Sequence, residues 1–364
     1  MNLKNINTIN FYNKDVFIRC DYNCPVDESN KVTDEFRIKA SIPTLEKILN
    51  DKPKKLVIAT HFGRPKNREE KYSTKLLIPY LKKYLNIEIN FLEKGLDSVE
   101  SDLSKSGVYF MENVRYHDYE TDPSLNKISL NFDIYCNEAF SCSHRNHSSI
   151  TCIPAKEKCF GKCVVKEIDN LNLLMQTNCL KKLAIIGGAK MDDKIPMLKN
   201  LSKKVDYLFI TGGNINSIIS NESLLNEVKN NNAEIILPID GFGNTNPDSK
   251  PIYFQDVYDK SNNMIFDMGS LTLNMIYNYI EKSDVVFWNG ALGITEHSFY
   301  KNGSEMLVKI LRNSKAKVII GGGDTAGFVN NYENNYEHIS TGGGASIEYI
   351  STGTLVGLTT ASYE

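Results

Sequence analysis

Nine short apolar runs, each ending in polar or glycine residues and separated by amphipathic stretches, constrain this chain more than any other feature. In the first 150 residues they are DVFIRCDYN (15–23), KLVIATHFGR (55–64), GVYFMENVR (107–115) and FDIYCNEAFSCSHR (132–145). Runs of about four to six apolar residues bounded in this way read as strands buried on both faces. Five more follow and end mostly in glycine: LAIIGGAK (183–190), YLFITGGN (207–214), AEIILPID (233–240), VVFWNGALG (285–293) and KVIIGGGDTA (317–326). Between them lie stretches such as RIKASIPTLEKILN (37–50), TKLLIPYLKKYL (74–85), DKIPMLKNLSKKV (193–205) and SEMLVKILRN (304–313), whose apolar spacing is that of amphipathic helices. Strand alternating with helix throughout predicts an α/β fold of two Rossmann-like lobes, each a parallel sheet covered by helices. Residues 161–179 read as one amphipathic helix and a polar break, the helical hinge between the lobes. The Asn-rich pieces NEVKNNN, GFGNTNP and NNYENNYE read as solvated loops.

A length of 364 residues suits two domains at roughly 150 residues each. The expected division is an N-terminal lobe over 1–165, an interlobe helix over 166–179, a C-terminal lobe over 180–346 and a terminal segment over 347–364. With 42 Lys plus Arg against 44 Asp plus Glu, no global basic field recommends nucleic acid or an anionic membrane as partner, so any anion must be held locally. No stretch approaches the ~18 apolar residues of a membrane span, and the N-terminus lacks the apolar core of a signal peptide. The eight cysteines are scattered without a C-x-x-C pair, which points to a reduced, cytoplasmic setting. A zinc site from Cys136, Cys142, His144 and His147 is the rival reading, weakened by the missing thiolate pairs.

Ligands of parallel sheets bind beyond the carboxyl ends of the strands, so the residues ending each run carry the most information. Only seven residues are Arg, and Arg37, Arg64, Arg115 and Arg145 read as lying at or just after strand ends of the first half. A guanidinium offers a planar fork for phosphate or carboxylate, and four of them, with His61, His144 and His147, favour a pocket for a small dianion. The second half instead offers glycine turns. GGGDTA (321–326) follows a strand, letting backbone N–H groups approach phosphate, and Asp324 supplies a hard oxygen for Mg²⁺. GGAKMDDK (187–194) sets Lys190 and Lys194 beside another glycine turn. A Walker-type P-loop is absent, because the one Gly-Lys pair, Gly161-Lys162, is followed by Cys163. GGGDTA also fits the degenerate dinucleotide pattern, but no acid-ending strand follows at the required distance.

Taken in order, RCDYNCP, TDEFRIKASIPT, THFGRPK, ENVRYH, NEAFSCSHRNHSS, IIGGAKMDDKI, FWNGALGITE, IIGGGDTA and STGGGAS make the chain resemble the phosphoglycerate kinases along nearly its whole length. The resemblance implies an N-terminal lobe for 3-phosphoglycerate, a C-terminal lobe for Mg²⁺ with ATP or ADP, and a C-terminus that returns to the first lobe. It implies a monomeric, cytoplasmic kinase exchanging a phosphoryl group between 1,3-bisphosphoglycerate with ADP and 3-phosphoglycerate with ATP. Carried over by motif, Asp21 and Asn23 are similar to ligands of the acceptor's hydroxyl and carboxylate, and His61, Arg64, Arg115 and Arg145 to the patch holding its distal phosphate. Arg37 and Lys194 resemble the pair that stabilises the phosphoryl group in flight, one from each lobe. Lys190, Gly212, Gly213 and Asn289 match nucleotide-binding positions, and Glu296 the ribose contact. Gly321, Gly322, Gly323 and Thr325 match the phosphate cradle, Asp324 the Mg²⁺ ligand, and Gly342, Gly343 and Gly344 the loop over the reaction centre. The chain departs from the family pattern at Glu138, Ser141, Cys142, Thr211 and Ala291, and its segment between Ser220 and Leu237 is short. Those departures leave a related phosphorylated or phosphono carboxylate as the alternative acceptor, and a noncatalytic protein on the same scaffold as a third reading.

Overall fold

The computed structural model describes residues 4–359, apart from 96–102, 104, 127, 129, 177–178, 189–193, 213–214, 217–221, 230, 260–262, 333–334 and 341. The chain divides into two compact units, one containing residues up to Glu167 and again from Thr354, the other Ile168–Gly353.

The first unit is built on six parallel strands: β1 (Asp15–Arg19), β2 (Lys55–Ala59), β3 (Asn90–Leu92), β4 (Gly107–Met111), β5 (Phe132–Asn137) and β6 (Ala155–Phe160), in the order β3-β4-β2-β1-β5-β6. The four expected apolar runs supply β1, β2, β4 and β5, the centre of the sheet. The edges β3 and β6 escape the apolar-run criterion for a physical reason: NFL is three residues long, and AKEKCF leaves its first four residues partly exposed. Helix Phe36–Asn50 buries Ile38, Leu45 and Ile48 against this sheet's core, and helix Lys162–Met175 buries Val164, Ile168, Leu171 and Leu174 at helical spacing. From Thr354 the chain rejoins the first unit, where Gly357 N–H donates to the Ser143 carbonyl (2.8 Å) and Asn137 Nδ2 donates to the Gly357 carbonyl (3.3 Å). Helix Gly344–Thr352 belongs to the second unit, so the expected break at 347 falls inside a helix.

The second unit has its own six-stranded parallel sheet, β15-β14-β13-β7-β8-β9, from β7 (Lys182–Ile186), β8 (Tyr207–Ile210), β9 (Glu234–Ile236), β13 (Val285–Asn289), β14 (Lys317–Gly321) and β15 (His338–Ile339). A small antiparallel sheet, unexpected from the sequence, joins β10 (Gly241–Asn244), β11 (Ile252–Phe254) and β12 (Met264–Met268). GFGNTNP is therefore not simply a loop. Its first four residues form β10, where the register shifts between Phe242 and Gly243, and a Cβ on Gly243 would collide with the Met264 carbonyl. The glycine that made the segment look like a loop is what admits the partner strand. NEVKNNN likewise starts as the end of helix Glu222–Lys229.

Glu138, just past β5, is buried and accepts from the backbone N–H of Cys163 (3.1 and 3.3 Å to its two oxygens) in the first turn of helix Lys162–Met175. Burial pushes its carboxyl up to about 7, and burial does the same to Asp267, also to about 7, in the second unit. Each folded-state value lies above the unfolded one, so the folded chain holds the extra protons. The contribution of these two groups to stability therefore falls as pH rises from about 4 to about 7 and is flat beyond, by roughly 3 to 4 kcal/mol per group at most. Glu138→Gln is expected to raise Tm at pH 8 and to remove about half of this slope. Thermal melts between pH 5 and 8 check it, and an unchanged slope would acquit Glu138.

Candidate active site

In the first unit β4, β2, β1 and β5 lie side by side, so the residues following them gather at one end of the sheet. Asp21 and Asn23 follow β1, His61 and Arg64 follow β2, Arg115 lies in the turn Val114–Tyr116 after β4, and Arg145 comes after β5. Arg37 is the exception. It sits not at a strand end but in the first turn of helix Phe36–Asn50, from which it reaches back to pair with Asp21. Arg64, Arg115 and Arg145 line one cleft of about 490 Å³, together with Lys66, His117 and His147. Beyond the cleft lining, Arg115 Nη1 donates to the Gly63 carbonyl (2.7 Å), and Gly63 N–H donates to Asn23 Oδ1 (2.8 Å).

The electrostatics favour an anion. Burial, then Arg19, Arg115, Arg37 and Arg145 in turn, pushes the His61 imidazole well below its ordinary value and keeps it neutral. Burial, reinforced by Arg145 and Arg19, pulls Arg115 down to about 10, still charged at neutral pH. Burial and Arg145 also lower His144, whose Nε2 accepts from Arg145 Nε (3.2 Å). Repulsion of this kind is relieved by a bound dianion. Among the described residues the one cluster with three metal-ligand atoms is Asp21, His61 and Cys142, and the set Cys136, Cys142, His144 and His147 forms no such group. Arg37 on Asp21, and Arg19 Nη2 at 3.4 Å from His61 Nδ1, make that cluster unwelcoming to a cation.

Four participants went unassigned in the sequence. Arg19 is wholly buried at the end of β1, and an arginine inside an otherwise apolar run was a legible sign of a buried partner. Glu120, in the polar stretch YHDYETD, gave no signal. His147, grouped in the sequence with the dianion pocket and with the rival zinc set but given no individual role, lines the cleft. Ser141, noticed only as a departure, donates its hydroxyl to the same Asp21 oxygen that Arg37 holds.

In the second unit the ends of β7, β13 and β14 meet. Gly187 N–H donates to the Asn289 carbonyl (2.8 Å), Gly188 N–H to the Ala291 carbonyl (2.9 Å), and Gly290 N–H to Thr325 Oγ1 (2.8 Å). Lys194, preceding helix Ile195–Leu201, donates to the Gly187 carbonyl, and Gly212 packs against Gly188 and Ala291. Among the described residues, Asn289 Nδ2 is buried without a hydrogen-bond partner. It faces Gly321 and Gly322, the latter at φ +88°, where an added Cβ would stand 3.2 and 3.0 Å from that nitrogen. An orphaned donor beside a cradle kept open by glycines fits a phosphate-bearing ligand. Gly323 opens helix Gly323–Val329, which presents Asp324 exposed and Thr325 buried. Glu296 is exposed and accepts from Thr295 Oγ1 (3.4 Å), and Gly343, at φ +52°, precedes helix Gly344–Thr352 with open space around it. Among the described residues, Thr211 Oγ1 is buried without a partner. Lys190 and Gly213 lie outside the described residues.

A family model described as Phosphoglycerate kinase matches residues 6–223 and 217–353. The chain belongs to the phosphoglycerate kinase family. It is therefore a kinase, a phosphotransferase whose acceptor is a carboxyl group. Relatives named phosphoglycerate kinase include one from Helicobacter pylori strain J99, 32% identical over 96% of this chain and 94% of its own length. Another, from Clostridium botulinum strain Loch Maree, is 32% identical over 98% of both chains. Among solved structures, phosphoglycerate kinase from Coxiella burnetii superposes with a TM-score of 0.87 at 25% identity, covering 99% of each chain. The expected two parallel sheets are thus those of phosphoglycerate kinase. No helix among the described residues is long and apolar enough to cross a membrane.

Proposed function

We propose that the chain transfers a phosphoryl group reversibly between ATP and the carboxylate of 3-phosphoglycerate, releasing ADP and 1,3-bisphosphoglycerate, as a cytoplasmic monomer. The observation that carries the reading is the cleft lined by Arg64, Arg115 and Arg145, which offers three guanidinium forks where a single carboxylate would need one. In this reading the cleft holds the phosphate that does not react, and Asp21 and Asn23 orient the other end of the acceptor. The nucleotide belongs to the second unit, where Asn289 Nδ2 supplies a donor with no other partner and Gly321, Gly322 and Thr325 leave room for phosphate oxygens. Asp324, an exposed carboxylate beside that cradle, suits a hard cation whose other ligands are phosphate oxygens and water, so it would hold Mg²⁺. When bound, Mg²⁺ draws charge from the phosphate oxygens.

The acceptor carboxylate is already ionised at pH 7, so no general base is required, unlike kinases that act on hydroxyls. The protein's task is to align the two reactants and surround the moving phosphoryl group with positive charge, for which Arg37 and Lys194 are the candidates. Another phosphorylated or phosphono carboxylate is the second reading, favoured by Ser141, a departure from the family pattern that shares with Arg37 an oxygen of Asp21. A coupled assay with purified protein, ATP, Mg²⁺ and a panel of acceptors decides between them. Turnover led by 3-phosphoglycerate is expected, and a faster alternative carboxylate would replace the first reading with the second.

A further inference from the structure

Beneath the arginine cleft lies a buried acid that the reaction as described does not use. Glu120, in the short helix Asp118–Thr121, is fully buried, an arrangement that costs several kcal/mol unless the charge is paired. Its Oε2 accepts from Ser149 N–H (2.9 Å) and its Oε1 from Ser149 Oγ (2.7 Å). The same Oε1 lies 3.5 Å from His147 Nδ1 and 3.9 Å from Arg19 Nη2, while Arg19 Nε donates to Ser149 Oγ (2.7 Å). Burial alone would raise this carboxyl. The His147 bond, the Arg19 charge and the two Ser149 bonds outweigh it and hold Glu120 below its ordinary value, so it is an anion.

Of these partners only His147 lines the cleft. With Nδ1 directed at Glu120, its Nε2 is the ring nitrogen left for the cleft, as in sites where a buried carboxylate fixes a histidine's tautomer and orientation. We infer that Glu120 is a positioning residue for acceptor binding, aiming His147 into the arginine cleft so that its Nε2, when the ring carries both protons, donates to the non-reacting phosphate. The inference rests on the assignment of that cleft to the acceptor. Glu120 touches no substrate, and of its partners His147 is the one that carries its effect into the cleft. Ser149 fixes the carboxylate from the other side, so its charge cannot turn away.

The test is kinetic. Glu120→Gln keeps the shape and one acceptor oxygen for Ser149 but removes the charge. It is expected to raise KM for 3-phosphoglycerate about tenfold, with kcat and KM for ATP within about twofold of the parent. His147→Gln should do the same, and the double variant should be no worse than either single one, because both remove one interaction. A purely structural Glu120 would instead lower Tm and kcat together and add to His147→Gln. Additive effects, or a parent-like KM in Glu120→Gln, would overturn the inference. Should Glu120→Gln fail to fold, His147→Gln alone decides: an unchanged KM for 3-phosphoglycerate removes the histidine from the cleft's function and Glu120 with it. A parent protein that turns over other acceptors but not 3-phosphoglycerate would overturn the cleft assignment and this inference together, whereas an active parent with indifferent variants would overturn this inference alone.

Discussion

Arg37→Ala and Lys194→Ala are each expected to lower kcat by roughly 10² to 10³, about 2.7 to 4 kcal/mol of barrier, while KM for either substrate changes far less. The expectation follows from charge accounting. An ionised carboxylate needs no proton removed, so transition-state stabilisation falls to groups that meet the charge on the moving phosphoryl oxygens. Arg37 is suited by placement: it stands in the first turn of its helix, partly buried and paired with Asp21, so its guanidinium is held near the acceptor ligand. Burial lowers its pKa, but a guanidinium stays charged in neutral solution. Lys194 is held by the Gly187 carbonyl at the mouth of the glycine cradle. Pre-steady-state phosphoryl transfer with each variant, alongside melts confirming a folded protein, is the measurement. A raised KM with parent kcat would reduce both residues to ground-state phosphate binders.

How legible the site was depended on how each residue earns its place. The strands were readable because buried β1, β2, β4 and β5 must be apolar, and their ends had to carry function because nothing else lies beyond them. Arg64, Arg115 and Arg145 were found on that logic. Arg37 reads as a strand-end residue but stands in a helix first turn, which can deliver a long side chain to a strand end as well as the strand can. Glu120 was invisible because its importance comes from burial, and polar neighbours in YHDYETD hide burial from any local pattern. The antiparallel strands β10 to β12 were hidden by Gly241 and Gly243, whose missing side chains are a packing requirement against Asp267 and Met264. Which lobe takes which substrate is implied by the resemblance alone, since spacing carries no such information.

Glycerate, which keeps the reacting carboxylate but lacks the distal phosphate, is expected to be a very poor acceptor, losing turnover as well as affinity. If the cleft bound phosphate only to raise occupancy, saturating glycerate would restore kcat. Binding energy from a non-reacting group instead serves to fix the carboxylate in line with the nucleotide, and that contribution disappears with the group. The cleft is built for such use. Arg115 is tied to the Gly63 carbonyl, and Gly63 in turn to Asn23, so a phosphate seated on Arg115 would be coupled through Gly63 to Asn23, the proposed ligand of the acceptor's other end. Arg115→Lys keeps a charge but loses the fork and the bond that anchors Gly63. It should therefore impair 3-phosphoglycerate by about one to two orders of magnitude in kcat/KM, the range for losing a charged bidentate contact, while nucleotide affinity stays at the parent value. Steady-state kinetics with both acceptors, and calorimetry with ADP, measure this. If glycerate is phosphorylated as fast as 3-phosphoglycerate, the three arginines serve something other than an acceptor phosphate, and the substrate assignment falls with them.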